Sequence, residues 1–401
     1  MSQPAETAEQ DAGAALAADC LARARAVLPV LDAAAGRIEQ ERELPADVLT
    51  ALHEAALFRL TLPRPLGGAE LDIARISAVM ETVASADAST AWCLGQAAGC
   101  AMSAAFMAAP AAAQVFGPDD AVLAWGAGAV GEARAVPGGY RVTGRWPFAS
   151  GSRHATWLGG HCKVVEADGT PRRGADGRRA LRTALFPRAA AEITDDWQVM
   201  GLRGTGSDSY AVEALFVEDA LTLDRETASE CRHAAPLYLF PTTSVYAAAF
   251  AGVALGVARA LLDSLRALAG HKTPRGAPGA LRDSATFHTR LAEAEAKLGA
   301  ARAYVQQVLQ ETWREVVDAE TITLEQRIAI RLATTHAIQQ ATAVSESAYR
   351  MAGSSAIFDD GAFERRFRDA YAVSQQVQGR ATNYETVGRH LMSLEVDTLF
   401  L

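Results

Sequence analysis

Between Gly144 and Trp157 the chain reads Gly-Arg-Trp-Pro-Phe-Ala-Ser-Gly-Ser-Arg-His-Ala-Thr-Trp, its most chemically loaded stretch. Trp146, Phe148 and Trp157 offer flat aromatic faces. Ser150 and Ser152 flank Gly151, where a ligand can approach the backbone without meeting a Cβ. A planar molecule with a polar edge needs that combination. The same residues also suit a strand end whose aromatics fill a core, so the rest of the chain has to decide.

Other patterns exclude several chemistries. Gly126, Gly128 and Gly131 spell GxGxxG after a candidate strand ending at Trp125, but the sequel through Pro137-Gly-Gly to Tyr140 is a turn and a strand. No βαβ unit follows, so a dinucleotide fingerprint is rejected. Gly201-Leu-Arg-Gly-Thr-Gly-Ser207 has the glycines of a phosphate loop without its lysine. The eight histidines show no metal spacing, so no metal is expected, and His154 and His161 read as structural. No Gly-x-Ser-x-Gly elbow is present.

The net charge of −9 and the lack of a basic run interleaved with aromatics argue against nucleic acid. The five cysteines, at 20, 93, 100, 162 and 231, form no CxxC and read as reduced core thiols. No secretory leader is visible, which points to the cytoplasm. Val245 to Ala260 is too short and too rich in Ala and Gly for a convincing membrane span, which takes about 20 apolar residues; it reads as a buried helix.

The elements that must position these residues fall into an order. Residues 1–13 form a flexible tail, 14–120 an N-terminal helical domain, 121–223 a β domain of sandwich or barrel type, and 240–401 a four-helix bundle. Helices are expected after Pro45, from Ile73 to Ala84 and from Ser89 to Met107, with Ala108 to Ala113 a turn around Pro110. Strands are expected at Ala121–Trp125, Tyr140–Thr143, Trp157–Val165, Leu181–Phe186 and Tyr210–Val217. The bundle helices are Val245–Leu268, Phe287–Val317, Leu324–Met351 and Ala362–Leu394. The fold class is α+β, mostly α.

This order, together with Thr143-Gly-Arg-Trp-Pro-Phe-Ala-Ser-Gly, Trp197-Gln-Val-Met-Gly-Leu-Arg-Gly-Thr-Gly-Ser207, and Met351-Ala-Gly-Ser-Ser with Phe363-Glu-Arg-Arg-Phe-Arg-Asp369, resembles the acyl-CoA dehydrogenase superfamily from about Ala14 to Leu394. The first two motifs look like its flavin-dependent monooxygenase branch, which includes the oxygenase of p-hydroxyphenylacetate hydroxylase, dibenzothiophene monooxygenase and indole-acetate monooxygenase. The resemblance implies a homotetramer with reduced flavin, FMN or FAD, between the β domain and the bundle. It implies flavin contacts from Trp125, Gly126, Ala127, Phe148, Ser150, Gly151 and Ser152, with the Ser150 hydroxyl at the ring edge. Arg275, Gly353 and Ser354 fall where the family holds phosphate and adenylate. Trp92, Cys93, Gln96, Cys100 and Gln376 fall around the substrate.

Two departures from the family shape the expected chemistry. Acyl-CoA dehydrogenases place a glutamate base after the Arg-Asp pair, whereas Tyr371 to Gly379 here holds no carboxylate, so abstraction of a thioester α-proton loses its base. The monooxygenase branch commonly has a histidine where this chain has Gln376, which hydrogen-bonds but exchanges no proton. The implied activity is therefore insertion of one oxygen atom from O2, through a flavin hydroperoxide, into an apolar aromatic or heteroaromatic small molecule, with Ser150 and Gln376 as the catalytic candidates. A separate NAD(P)H-dependent flavin reductase is the implied partner, since no NAD fold is present. The alternatives are an acyl-CoA dehydrogenase-like oxidoreductase and a flavin-binding protein that has lost catalysis.

Overall fold

Side-chain caps mark where several helices begin. In the computed structural model, which describes residues 16, 18–174, 177–225, 227–359, 361–398 and 401, helices α1 (Leu28–Glu41) and α2 (Ala46–Glu54) come first. Asp72 then accepts from Arg75 N to open α3 (Ile73–Ala84), and Asp87 accepts from Thr90 N to open α4 (Ala88–Ala101). Residues 1–13 lie outside the described residues. Ala109–Phe116 is helix α5 and not the expected turn. Pro110 sits in its first turn, where the missing N–H would have had no partner anyway.

Eight strands follow: β1 (Leu123–Trp125), β2 (Gly131–Val136), β3 (Gly139–Trp146), β4 (Trp157–Val165), β5 (Leu181–Pro187), β6 (Glu192–Thr194), β7 (Ser209–Glu218) and β8 (Thr222–Leu223). They join in one mixed sheet, ordered β6-β7-β3-β2-β4-β5-β8, with β1 also beside β4. Two parallel pairings define its middle. Leu123 to Trp125 runs along Trp157 to Gly159, and Gly131 to Arg134 along Cys162 to Val165. The turn 126–130 is thereby held between two strands that share one edge of β4.

Trp146, at the end of β3, is wholly buried in this sheet. A Cβ at Gly131, Gly144 or Gly160 would lie 2.4–2.6 Å from its ring, so three glycines from three strands make its socket. Its Nε1 donates to His161 O at 3.0 Å, and Tyr210 stacks on it with centroids 5.4 Å apart. Trp146 is thus core, and the aromatic face expected of it is closed to a ligand.

Helix α6 (Thr242–Ala269) runs through the helical core, packed on α3, α4 and α8 (Leu324–Ala352). Gly252 and Gly256 bring it against α3, where a Cβ at either would meet Ser77 O or Glu81 O at 2.2 Å. By length and composition α6 is able to cross a membrane, contrary to the reading of its apolar run as too short. Burial decides the matter, for 89% of its most apolar window lies inside the fold. Helices α7 (Ala285–Ala319), α9 (Glu364–Ser374) and α10 (Thr382–Leu391) complete the C-terminal part.

Candidate functional site

Helix α4 carries the first functional side chains, and α9 fixes where α4 and the 201–207 loop sit. Arg365 of α9 pairs with Asp87, the cap of α4, at 2.6 Å. Asp369, four residues further along α9, accepts from Leu202 N at 2.7 Å. Gly201 lies so close to α9 that a Cβ there would meet Arg368 O at 2.3 Å. The loop with a phosphate-loop look is therefore a clamped structural element.

From this clamp a line of hydroxyls reaches Ser150. Thr205 Oγ1 donates to Leu202 O at 2.8 Å and lies 2.6 Å from Ser207 Oγ. Ser207 Oγ in turn lies 2.7 Å from Ser150 Oγ. Trp92 Nε1 donates to Ser150 Oγ at 2.9 Å, and the half-buried Trp92 ring stacks on Phe250 of α6 at 3.9 Å. Sequence reading named Ser150 and Trp92 but missed that they touch, and gave no role to Thr205 and Ser207. The only signal for the latter pair was the quoted motif ending at Ser207.

The residues around Ser150 split by orientation. Phe148 is 62% exposed with φ of +60°, a backbone conformation that costs an aromatic residue roughly 1 kcal/mol or more. Gly151 takes φ of +83°, where glycine is at home, and its N–H donates to Thr205 O at 2.9 Å. Ser152 is wholly buried and donates to Gly206 O at 3.1 Å, so its hydroxyl is taken up by the backbone of the 201–207 loop. Ala127 is exposed, while Trp125 and Gly126 are buried. Gly126 N donates to Tyr210 Oη at 3.1 Å, and Ala127 N to Pro147 O at 2.8 Å.

One turn along α4, Gln96 Nε2 donates to Tyr246 Oη at 3.0 Å, with Cys100 Sγ 3.6 Å from the same oxygen. The Tyr246 ring lies parallel to Phe250, centroids 5.6 Å apart, and rests where a Cβ on Gly99 would collide at 2.2 Å. Tyr246 and Phe250 join the candidate site through Gln96 and Trp92, and the apolar run concealed them. The Arg225 guanidinium lies over Trp125 at 5.8 Å and donates to Gly99 O at 2.8 Å. Cys93 faces Thr205 O at 3.8 Å. Burial pushes the thiol of Cys93 up, that of Cys100 up to about 12, and the Tyr246 phenol well above its ordinary value, so all three stay protonated at neutral pH.

The two histidines of this region are held neutral at neutral pH. Burial, with His53 and Arg188 nearby, lowers His154 to about 3, and burial with Arg225 lowers His161 to about 4. His161 Nδ1 is 2.8 Å from Thr183 Oγ1.

Gln376 stands on the turn after α9. Its Oε1 accepts from Gln378 N at 2.7 Å, while its Nε2 is buried without a partner among the described residues. No hydrogen bond among those residues joins it to Trp92, Gln96 or Ser150. At the far end of the bundle, Lys272 Nζ donates to Ala352 O and to Ser355 Oγ at 2.9 Å, which brings the 272–275 turn to the exposed Gly353 and Ser354. Arg275 is exposed. Trp92 and Ser207, from distant parts of the chain, thus converge on Ser150, whereas no hydrogen bond among the described residues joins Gln376, Arg275 or Ser354 to that line.

Family models agree with this architecture. The acyl-CoA dehydrogenase N-terminal domain matches residues 17–114 and the C-terminal domain residues 248–378. An indole-3-acetate monooxygenase of Pseudomonas putida is 30% identical over 358 residues, 88% of each chain. The chain belongs to the acyl-CoA dehydrogenase superfamily. Within the superfamily it stands in the flavin-dependent monooxygenase branch. The 3-HSA hydroxylase from Rhodococcus sp. RHA1 superposes with a TM-score of 0.87 at 25% identity, over 96% of this chain and 99% of that one. XiaF from Streptomyces sp., solved with FADH2 and glycerol, shares the fold with a TM-score of 0.90 at 24% identity, over 98% and 99% of the two chains. In this superfamily member the α9 motif that carries the resemblance is the part that clamps the Gly201–Ser207 loop.

Proposed function

We propose that this chain is the oxygenase component of a two-component monooxygenase, which uses reduced FMN or FAD and O2 to place one oxygen atom on an aromatic or heteroaromatic small molecule. A separate NAD(P)H-dependent reductase supplies the flavin, and the enzyme works as a cytoplasmic homotetramer. The observation that carries the reading is Ser150, held between Trp92 Nε1 and Ser207 Oγ beside an exposed Phe148. A hydroxyl fixed against aromatic faces fits the polar edge of an isoalloxazine. When bound, reduced flavin activates O2 for oxygen transfer.

The chain's own residues supply position and dryness. Trp92, Phe250 and Tyr246 form an apolar stack that excludes water and suits a flat substrate. Gln96 offers its amide beside that stack, and the unpartnered Nε2 of Gln376 offers a donor. Arg275, Gly353 and Ser354 are the proposed contacts for the phosphate end of the cofactor. Proton abstraction from a thioester finds no base in the segment where the family places its glutamate. On α9 the carboxyl groups of Asp369 and Glu364 are engaged by Leu202 N and Arg368, and no carboxylate lies from Tyr371 to Gly379. That disfavours the dehydrogenase alternative.

The test mixes purified protein with chemically reduced FMN or FAD and aerated buffer containing indole-type substrates. Label from 18O2 is expected in the product, together with delayed reoxidation of the flavin. Reoxidation at the rate of free flavin with no labelled product sinks the proposal, and anaerobic bleaching of bound flavin by an acyl-CoA establishes the alternative.

A further inference from the structure

Trp92, Ser150, Ser207, Thr205 and Leu202 make four consecutive polar contacts, of 2.9, 2.7, 2.6 and 2.8 Å. The two ends fix the direction of all four. An indole N–H only donates, and a backbone carbonyl only accepts. Four protons are available for four contacts: one on Trp92 and one on each of the three hydroxyls. Thr205 gives its proton to Leu202 O, so Thr205 Oγ1 must accept from Ser207. Ser207 is then committed, and its oxygen must accept from Ser150. The reverse assignment would press two lone pairs together at 2.6 Å, between Thr205 and Ser207.

The Ser150 proton therefore points inward, and one of its lone pairs receives Trp92. A single lone pair remains, on a residue that keeps 6% of its surface exposed. The far end of the chain is anchored, since Leu202 N donates to Asp369 and Trp197 Nε1 donates to Leu202 O at 3.0 Å. Ser150 thus meets a ligand as an acceptor.

We propose that Ser207 and Thr205 are positioning residues that hold Ser150 as a hydrogen-bond acceptor, and that the site thereby selects a ligand edge bearing N–H, the reduced flavin, over a bare ring nitrogen, the oxidised flavin. This rests on the flavin reading above. The central ring of a flavin carries an N–H after reduction and only a lone pair before it. The first matches the remaining lone pair of Ser150, and the second repels it. Breaking the hydroxyl chain frees the Ser150 proton to rotate outward, and the discrimination falls.

The test measures dissociation constants of oxidised flavin in air and of reduced flavin under anaerobic conditions, for the full chain and for Ser207→Ala, Thr205→Val and Thr205→Ser. The midpoint potential of bound flavin is read in parallel. The native chain and Thr205→Ser, which keep every hydroxyl, are expected to favour the reduced form. Ser207→Ala and Thr205→Val are expected to lower the ratio of oxidised to reduced dissociation constants about tenfold, the scale of one misdirected hydrogen bond. For a two-electron couple this lowers the potential by about 30 mV. A ratio that stays unchanged in both variants overturns the proposal, as does a Thr205→Ser chain that behaves like Thr205→Val. A native chain that binds neither flavin form overturns the flavin reading itself.

Discussion

Two tryptophans of this molecule, Trp146 in the sheet and Trp92 on α4, use similar packing for opposite ends. Each is met by aromatic stacking, Tyr210 on the first and Phe250 on the second. Glycines make room around both stacks, at 131, 144 and 160 in the sheet and at 95 and 99 on α4. The difference lies in the indole N–H. That of Trp146 closes on a backbone carbonyl of its own sheet, and the ring is sealed. That of Trp92 meets a side-chain hydroxyl, and the ring stays half-buried. A tryptophan whose N–H feeds a side-chain network at the edge of the fold is available to a ligand, and one that feeds the sheet is not.

The strongest way to break the comparison is to fill the Trp146 socket. In Gly131→Ala the new methyl would sit 2.4 Å from the Trp146 ring and 2.8 Å from Cys162 Sγ, with Gly131 paired to Cys162 and the next residue, Glu132, paired to both neighbouring strands, which resists retreat. Overpacking of this kind costs about 1–3 kcal/mol. A thermal or denaturant midpoint equal to that of the native chain would show that the socket is not tight.

On the Trp92 side the corresponding weak point is Asp369, the anchor of the hydroxyl chain. Burial pushes its carboxyl up to about 7, against the pull of the Leu202 N–H and the charge of Arg365. In the unfolded chain an aspartate titrates near 3.9. The folded value is the higher one, so its contribution to stability is fully present below about pH 4 and is lost as the pH rises toward 7. Asp369→Asn keeps an acceptor for Leu202 N and removes the titration. The native chain is expected to lose stability relative to this variant between about pH 4 and 7, and parallel stability curves would refute the assignment.

Much of the fold was legible because its punctuation is strong. Pro45, the Pro-Gly cluster from Thr61 to Gly68 and the Pro137-Gly-Gly turn separate apolar patterns of different period, and β4 spans the predicted Trp157 to Val165. Other features depend on contacts that periodicity does not carry. The parallel seating of β1 and β2 on one edge of β4 joins segments some 30 residues apart, and Pro110 reads as a breaker until a helix is seen to start there. Trp146 and Phe148, two positions apart, would share a face in a regular strand. The strand ends at Trp146 and Phe148 turns to φ of +60°, which sends one ring into the core and leaves the other in solvent. Ser150 was legible as a polar group beside aromatics. Its directionality was not, because that comes from Ser207 and Thr205, more than 50 residues away.

A smaller and more selective change is Trp92→Phe, which retains the stack on Phe250 and deletes the N–H. Losing one partly buried hydrogen bond costs about 1 kcal/mol. Trp92→Ala also removes the ring and should cost clearly more. If the two variants were equally destabilised in urea, the hydrogen bond to Ser150 would account for the whole effect, and the stack would have no share in holding α4 to α6.

The smallest expected effect separates the two serines around Gly151. Ser152→Ala deletes a hydroxyl that donates to Gly206 O, and that carbonyl still receives Asp208 N at 2.7 Å, so the loss should stay near or below about 1 kcal/mol. Because the Ser152 side chain is wholly buried and turned toward the clamped loop, flavin affinity in either redox state is expected to match the native chain. Ser150→Ala, by contrast, removes the oxygen on which Trp92 and Ser207 converge, and should weaken reduced flavin most. Equal losses of flavin affinity in the two variants would mean that the ligand reads the Ser-Gly-Ser turn as a whole. A loss confined to Ser150 makes one oxygen, oriented by a chain of three partners, the point at which the fold addresses its cofactor.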